Sequence, residues 1–255
     1  MQALVAEMGW SAIILLMVAA FATSLIHGAT GIAGGFLLTV IAAPIIGLQA
    51  VVPVLSITLI ISHASRVLFN LDQFDKTAFL AVIVPAVPFI VFSALVYGRL
   101  SGVAIAFILG AVVIASVPAR RWALSRQLVA TKATLGWAGV VYGGISGLAV
   151  GPGLLLVPIL LGYGLSRQSF VATLATIALA TNVIRIAVYG ATDLLSSPYI
   201  ILAVAAGIAT IPGAWIGRSV LRRLTDHRHE VAVEWLVVLG GLGFFWMGLD
   251  AWHKA

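Results

Sequence analysis

The chain has 255 residues, of which 62% are hydrophobic and only 9% charged, with a formal net charge of +6. So little charge cannot cover the surface of a soluble globular domain, so lipid must serve as the solvent. Cysteine is absent, which excludes disulfides, thiolate metal sites and cysteine nucleophiles. The basic residues lie in short loops between apolar runs, which is typical of orientation in a membrane rather than of nucleic-acid binding.

Ten apolar segments follow one another along the chain. They lack the strict alternation of barrel strands, so they predict helices. We therefore predict an all-α polytopic membrane protein with about eight to ten membrane segments. The predicted segments are 9–26, 31–46, 51–69, 77–97, 101–117, 133–150, 152–163, 169–189, 198–216 and 231–249.

A hydrophilic linker, residues 118–132, separates a first transmembrane repeat (1–117) from a second (133–255). The positive-inside rule places this linker in the cytoplasm, because it carries Arg120, Arg121, Arg126 and Lys132. It places the basic loop 218–230 on the same side, which requires an even number of crossings between the two. Five segments in each repeat then give the halves opposite orientations, which makes an inverted repeat with both termini outside.

Each repeat contains one glycine-led element, GIAGGFLLTVIAAPIIG from Gly31 and GLAVGPGLLLVPILLGYG from Gly147. The segment 152–163 would be roughly 18 Å long as a helix and cannot cross about 30 Å of hydrocarbon alone. Counting it as a crossing, or pairing it with 133–150 as one helical hairpin, satisfies the charge rule equally. Paired glycine-interrupted segments in two halves of a membrane protein indicate a transporter's substrate site.

Four glycines mark the predicted breaks: Gly34, Gly35, Gly151 and Gly153. Irregular backbone at membrane depth is tolerated only inside protein or beside a water-filled cavity, and a broken helix exposes N–H groups that bind anions. We therefore predict that these glycines contribute to substrate binding. The alternative is close helix packing through small residues.

The helix after each glycine element carries an arginine, Arg66 and Arg185, at matching positions 119 residues apart. His63 precedes Arg66 by three residues and Asn182 precedes Arg185 by three, so each pair shares one helix face. The hydroxyls of Ser62 and Thr181 lie nearby. Such donors without a carboxylate suit an oxyanion, which makes these two pairs predicted substrate ligands. Alternatively, both arginines snorkel to an interface.

The acidic residues all fall in loops or near segment ends, whereas a proton- or sodium-coupled carrier usually buries a carboxylate at mid-depth. The groups in apolar segments that titrate near neutrality are His27 and His63. Either could carry a coupled proton, and a structural role is the alternative for each. Nothing in the sequence indicates a metal or another cofactor.

The chain resembles the sulfite exporter TauE/SafE family of small bacterial membrane transporters. The resemblance rests on GGISGLAVGPGLLLVPILL from Gly143 and on the following helix, which ends NVIRIAVYG at Gly190. The family's glycine run and following proline map onto Gly151, Gly153 and Pro158. Pro152 interrupts that run, and the first repeat has no proline equivalent to Pro158. The resemblance implies a fold of about eight helices and a substrate class of sulfite, sulfoacetate and related organosulfur anions.

The leading hypothesis is a secondary transporter of small sulfur-containing oxyanions in the bacterial cytoplasmic (inner) membrane, working in export by alternating access. The alternative is a channel or carrier for another small anion or a neutral solute. An enzyme is not expected, because no Ser–His or paired-carboxylate arrangement stands out. The expected partners are a small anion and the lipid bilayer, with no nucleic acid; a homo-oligomer remains open.

Overall fold

The computed structural model describes residues 2–30, 34–68, 70–126, 128–192, 194–195, 197–221 and 226–254. Across these residues the regular structure is helical, with one short 3₁₀ turn at Leu71–Gln73 between α3 and α4. The helices are α1 (Gln2–Thr30), α2 (Gly34–Ile46), α3 (Leu48–Leu68), α4 (Lys76–Tyr97), α5 (Gly102–Ser125), α6 (Lys132–Ser146), α7 (Gly153–Gly162), α8 (Arg167–Gly190), α9 (Ser197–Leu221) and α10 (Asp226–His253).

Six helices within the described residues are long and apolar enough to cross a membrane: α1, α3, α4, α5, α8 and α9. Large apolar side chains such as Phe92, Ile208 and Trp246 are more than half exposed. Such faces fit lipid rather than water as their surroundings. The prediction of an all-α polytopic membrane protein is therefore confirmed.

Most predicted segments match a helix to within a few residues, and the larger differences lie at helix ends. α5 continues past the predicted end at Val117 to Ser125, so the first half of the linker is helical. α6 stops at Ser146, four residues earlier than predicted, because the glycine-rich turn begins there. α1 is interrupted at Gly9, whose φ of 75° is not helical.

The contacts between helices show an approximate two-fold relation between α1–α5 and α6–α10. Exchanging the two sets maps most of the main helix contacts onto one another. This is the arrangement expected of a duplicated chain, while the opposite orientation of the halves across a membrane stays a prediction. The related contacts are α1–α9 with α6–α4, α3–α9 with α8–α4, and α2–α10 with α7–α5, while α3–α8 and α5–α10 map onto themselves.

Helices α6 and α7 form a hairpin whose two ends lie at the same side of the molecule. The backbone N–H of Ala130, just before α6, donates to the carbonyl of Gly162 at the end of α7, at 3.0 Å. The turn between the helices contains Gly151 with φ of +90°, a conformation that favours glycine. Both predicted possibilities for this region, two crossings or one helical hairpin, contain this antiparallel pair.

The tip of this hairpin meets the start of α2. A Cβ added to Gly35 would lie 3.3 Å from Val150, and one added to Gly151 would lie 2.8 Å from the ring of Phe36. The two glycine-led elements of the sequence are thus brought into direct contact. Their meeting point is where the cavity described below is found.

Candidate functional site

A cavity lies between α1, α2, α3, α6, α7 and α8. Its volume is about 60 Å³, which is room for a small anion or a few water molecules. Eight of the nine predicted site residues line it: His27, Gly35, His63, Arg66, Gly151, Gly153, Asn182 and Arg185.

Gly34 does not line this cavity. A Cβ at Gly34 would collide with the backbone carbonyl of Thr23 and with the side chain of His27, both on α1. Gly34 therefore allows α1 and α2 to pack closely, which is the packing role that small residues have in membrane helices. The neighbouring Gly35 is the one that faces the cavity.

Arg185 of α8 is positioned by residues of its own helix. Its Nη1 donates to the side-chain oxygen of Asn182 at 3.3 Å, and the amide nitrogen of Asn182 donates to the carbonyl of Ala178 at 2.7 Å. The guanidinium carbon lies 6.0 Å from the ring centroid of Tyr189, one turn further along. Nε and Nη2 of Arg185 have no hydrogen-bond partner among the described residues, and the residue is 2% exposed.

Arg66 of α3 has a different environment. Its Nε and Nη2 are buried without a hydrogen-bond partner in the described part of the chain, as is Nδ1 of His63. The His63 ring lies edge-on to that of His27 of α1, with 5.7 Å between their centroids. Arg66 is 8% exposed. Both arginines are thus buried beside the cavity, so the snorkelling alternative does not hold.

Backbone from the glycine-led elements closes part of the cavity. α2 contributes Gly35 from its first turn, and α7 contributes Gly153 at its N-terminus. The N-terminal end of a helix carries partial positive charge and stabilises an anion. Pro152, which precedes α7, has no side chain that could cap the helix. Two helix starts therefore add to the positive character of the cavity.

Tyr142 and Ser146 of α6 line the cavity and were missed by the sequence analysis. The Tyr142 hydroxyl lies 3.1 Å from that of Thr181, which also lines the cavity and donates to the carbonyl of Ile177 at 2.8 Å. A signal was present, since Tyr142 is a polar aromatic residue just before the glycine run. Ser62, the equivalent of Thr181, is buried but is not among the lining residues.

The cavity is positively charged as a whole. It is lined by two arginines and two histidines, and none of the lining residues in the described part of the chain is acidic. The described carboxylates lie elsewhere: Asp75 caps α4, Asp72 lies in the 3₁₀ turn, and Asp250 pairs with Lys254 at 2.6 Å. No cluster of metal-ligating side chains occurs within the described ranges. This chemistry suits a small anion.

Comparison with known proteins gives one match. A family model described as "Sulfite exporter TauE/SafE" matches residues 16–244 of the 255-residue chain. No curated protein and no solved structure matches this chain. The matched range contains all the cavity-lining residues named above.

Proposed function

We propose that this chain, which belongs to the sulfite exporter TauE/SafE family, is a secondary transporter that exports small sulfur-containing oxyanions by alternating access. The substrate class proposed is sulfite, sulfoacetate or a related organosulfonate. The proposed location is the bacterial cytoplasmic (inner) membrane, which the chain crosses several times. Seven residues are proposed as substrate ligands: Gly35, His63, Arg66, Gly151, Gly153, Asn182 and Arg185.

The observation that carries this proposal is the pair of buried arginines with unpartnered nitrogens. Each guanidinium has two nitrogen atoms without a hydrogen-bond partner among the described residues. Burying such a charge without a partner costs several kcal/mol, and an anion bound in the cavity would offset that cost. A planar guanidinium presents paired N–H groups that match the oxygens of an oxyanion.

The size of the cavity favours the smaller substrates of the proposed class. A cavity of about 60 Å³ fits sulfite, which has four non-hydrogen atoms, better than sulfoacetate, which has eight. Sulfoacetate would require the cavity to widen during the transport cycle. We therefore expect sulfite to bind more tightly than sulfoacetate.

Voltage provides the driving force for export in this proposal. A negative interior favours outward movement of an anion by about 2.3 kcal/mol per charge per 100 mV. Export therefore needs no coupling ion, which agrees with a cavity lined by no described carboxylate. Uptake would need one, and His27 and His63 are the proposed proton carriers in that direction.

The test is uptake of labelled sulfite into proteoliposomes, with and without an imposed voltage. We expect saturable flux that follows the voltage, is inhibited by sulfoacetate, and accelerates when unlabelled sulfite is present on the opposite side. Protein-free liposomes are the control. Flux that neither saturates nor responds to a counter-substrate would indicate a channel. No flux of labelled sulfite under any gradient would exclude sulfite, and no flux of labelled sulfoacetate either would refute the substrate class.

A further inference from the structure

We infer that Tyr189 is a positioning residue. Together with Tyr97 it closes the end of the cavity away from the linker, a closure that we call the seal. Tyr189 also makes this closure depend on whether an anion is bound to Arg185. The inference rests on the proposed function for its meaning in transport. The structural argument itself concerns the two-fold relation between α3 and α8, the hydrogen bonds of two buried tyrosines, and the position of Arg185.

The cavity departs from the two-fold relation between α3 and α8. Three equivalent pairs line it from both helices: Leu59 with Ala178, His63 with Asn182, and Arg66 with Arg185. α8 alone contributes four further residues: Thr181, which lies among the pairs, and Val171, Leu174 and Ala175, which lie nearer the start of the helix. The equivalents of the last three on α3, Val52, Leu55 and Ser56, are each 0% exposed and line no part of the cavity.

This asymmetry has a direction. The extra wall on α8 lies toward the start of that helix, which follows α7 after the short turn 163–166. The end of α7 is bonded to the linker through Gly162 and Ala130. The cavity therefore extends toward the linker side of the molecule and is closed at the other end, where α3 begins.

Two tyrosines lie at the closed end. Tyr97 of α4 and Tyr189 of α8 are 1% and 0% exposed, and their ring centroids are 5.5 Å apart. The Tyr97 hydroxyl donates to the carbonyl of Leu48 at the start of α3, at 2.9 Å. The Tyr189 hydroxyl donates to the carbonyl of Gly147, in the turn of the α6–α7 hairpin, at 2.6 Å. Together they tie α3, α4, α8 and the hairpin at one level.

Tyr189 also contacts the site. The Arg185 guanidinium lies 6.0 Å from its ring centroid, which is within the range of a cation–π interaction. An anion bound to Arg185 competes with the ring for the same charge. When the guanidinium turns toward the anion, Tyr189 loses that interaction and keeps only its contact with Tyr97 and its bond to the hairpin. Occupancy of the site therefore loosens the seal.

Among the described residues, the position equivalent to Tyr189 holds no tyrosine. It is Asn70, just after the end of α3, whose side-chain nitrogen donates to the carbonyl of Arg66 at 2.8 Å. The seal is thus a property of one half of a duplicated chain. It explains why the two-fold relation holds for the helix contacts and fails for the cavity.

Because the chain contains no cysteine, a single introduced cysteine reports whether a thiol reagent reaches that one position. Ser56→Cys reports the sealed end and Ala175→Cys the open end, at equivalent positions of α3 and α8. Val129→Cys, at a linker residue that is 88% exposed, identifies the linker side of each vesicle preparation. A small anionic methanethiosulfonate reagent that does not cross membranes is applied from either side, without any transport substrate.

We expect Ala175→Cys to react from the linker side and Ser56→Cys to react slowly from both. Adding Tyr189→Phe, which removes only the hydroxyl, should raise the Ser56→Cys rate from the side opposite the linker about fivefold, the value of one ordinary hydrogen bond. Arg185→Gln, which removes the cation from the ring, should raise it as well. Tyr163→Phe, at a half-buried tyrosine near the linker, is the matched control and should leave the rate unchanged.

Equal labelling of Ser56→Cys and Ala175→Cys in the otherwise unchanged protein would overturn the seal. A Ser56→Cys rate unaffected by Tyr189→Phe would overturn the role of Tyr189, and one unaffected by Arg185→Gln would overturn its coupling to the site. Size-exclusion profiles of each variant show whether it has folded, and Tyr189→Phe keeps the ring in place. Because no sulfite is used, these outcomes are independent of whether sulfite is the substrate.

Discussion

Helices α3 and α8 hold equivalent places in the two halves and carry an arginine at the same position, yet the two arginines have different polar neighbours. On α8 the arginine is positioned by Asn182, a neutral amide that is itself bonded to the helix backbone. On α3 the same place is taken by His63, whose Nδ1 has no partner among the described residues and whose ring faces His27. One half therefore holds its charge in a fixed geometry and the other beside titratable groups.

This difference indicates what the duplicated site requires. The arginine is common to both halves, whereas the neighbouring polar residue and the tyrosine one turn later are not, and of the two equivalent hydroxyls only that of Thr181 lines the cavity. The charge that we propose to bind the anion is thus the symmetric part of the site. The partners around it differ between the halves.

The largest effect is expected from removing either arginine. Arg185→Ala and Arg66→Ala each remove a charge that offers two or more hydrogen bonds to an anion, which corresponds to roughly a 100-fold or greater loss of affinity. Sulfite flux in proteoliposomes should fall to the protein-free background in both, with expression intact. Arg126→Ala, at an exposed linker arginine, is the control and should transport normally. Normal flux in both site variants would remove these arginines from the mechanism.

A smaller effect should distinguish a glycine that allows helix packing, Gly34, from a glycine that lines the cavity, Gly153. Gly34→Ala places a methyl group on the backbone carbonyl of Thr23, and overpacking of this kind costs about 1–3 kcal/mol. Gly153→Ala places its methyl 3.4 Å from Leu174, which is an ordinary contact. We expect a lower melting temperature in detergent for the first variant only, and reduced sulfite flux for the second. The opposite result would mean that Gly34 serves the site and Gly153 the packing.

The smallest effect is expected from making the two halves alike. His63→Asn gives α3 the pattern of α8. The shorter amide reaches less far into the cavity than the imidazole, so the loss of one contact with the anion should reduce sulfite affinity by about fivefold. The measurement is the sulfite concentration that gives half-maximal flux in proteoliposomes at constant pH. An unchanged half-saturation concentration would show that the imidazole of His63 makes no contact with the anion.

The sequence predicted the helices well because hydrophobic length and glycine breaks are local signals. It also predicted the arginine pairs, since a charge within an apolar helix is visible without any knowledge of its neighbours. The contact between the outer ends of α6 and α7 could not be predicted, because the bond between Ala130 and Gly162 joins residues that only the folded chain brings together.

The errors have the same origin. Gly34 and Gly35 are adjacent and identical in type, and only the packing of α1 decides which of them faces the cavity. Tyr142 and Tyr189 gain their roles from contacts between α6 and α8, through the hydroxyl of Thr181 and the carbonyl of Gly147. Periodicity and spacing describe single helices, so they cannot assign partners of this kind.

The interleaving of the two halves has a consequence for biosynthesis. α1 makes its most extensive contacts with α9, and Ser24 donates to the carbonyl of Thr210 at 2.6 Å across 186 residues of chain. α4 likewise has its main partner, α6, in the other half. When the first five helices have left the ribosome, the groove that receives α1 has not yet been synthesised. The early helices are therefore loosely associated in the bilayer at first, and α1 reaches its native packing only after α9 has been synthesised and inserted.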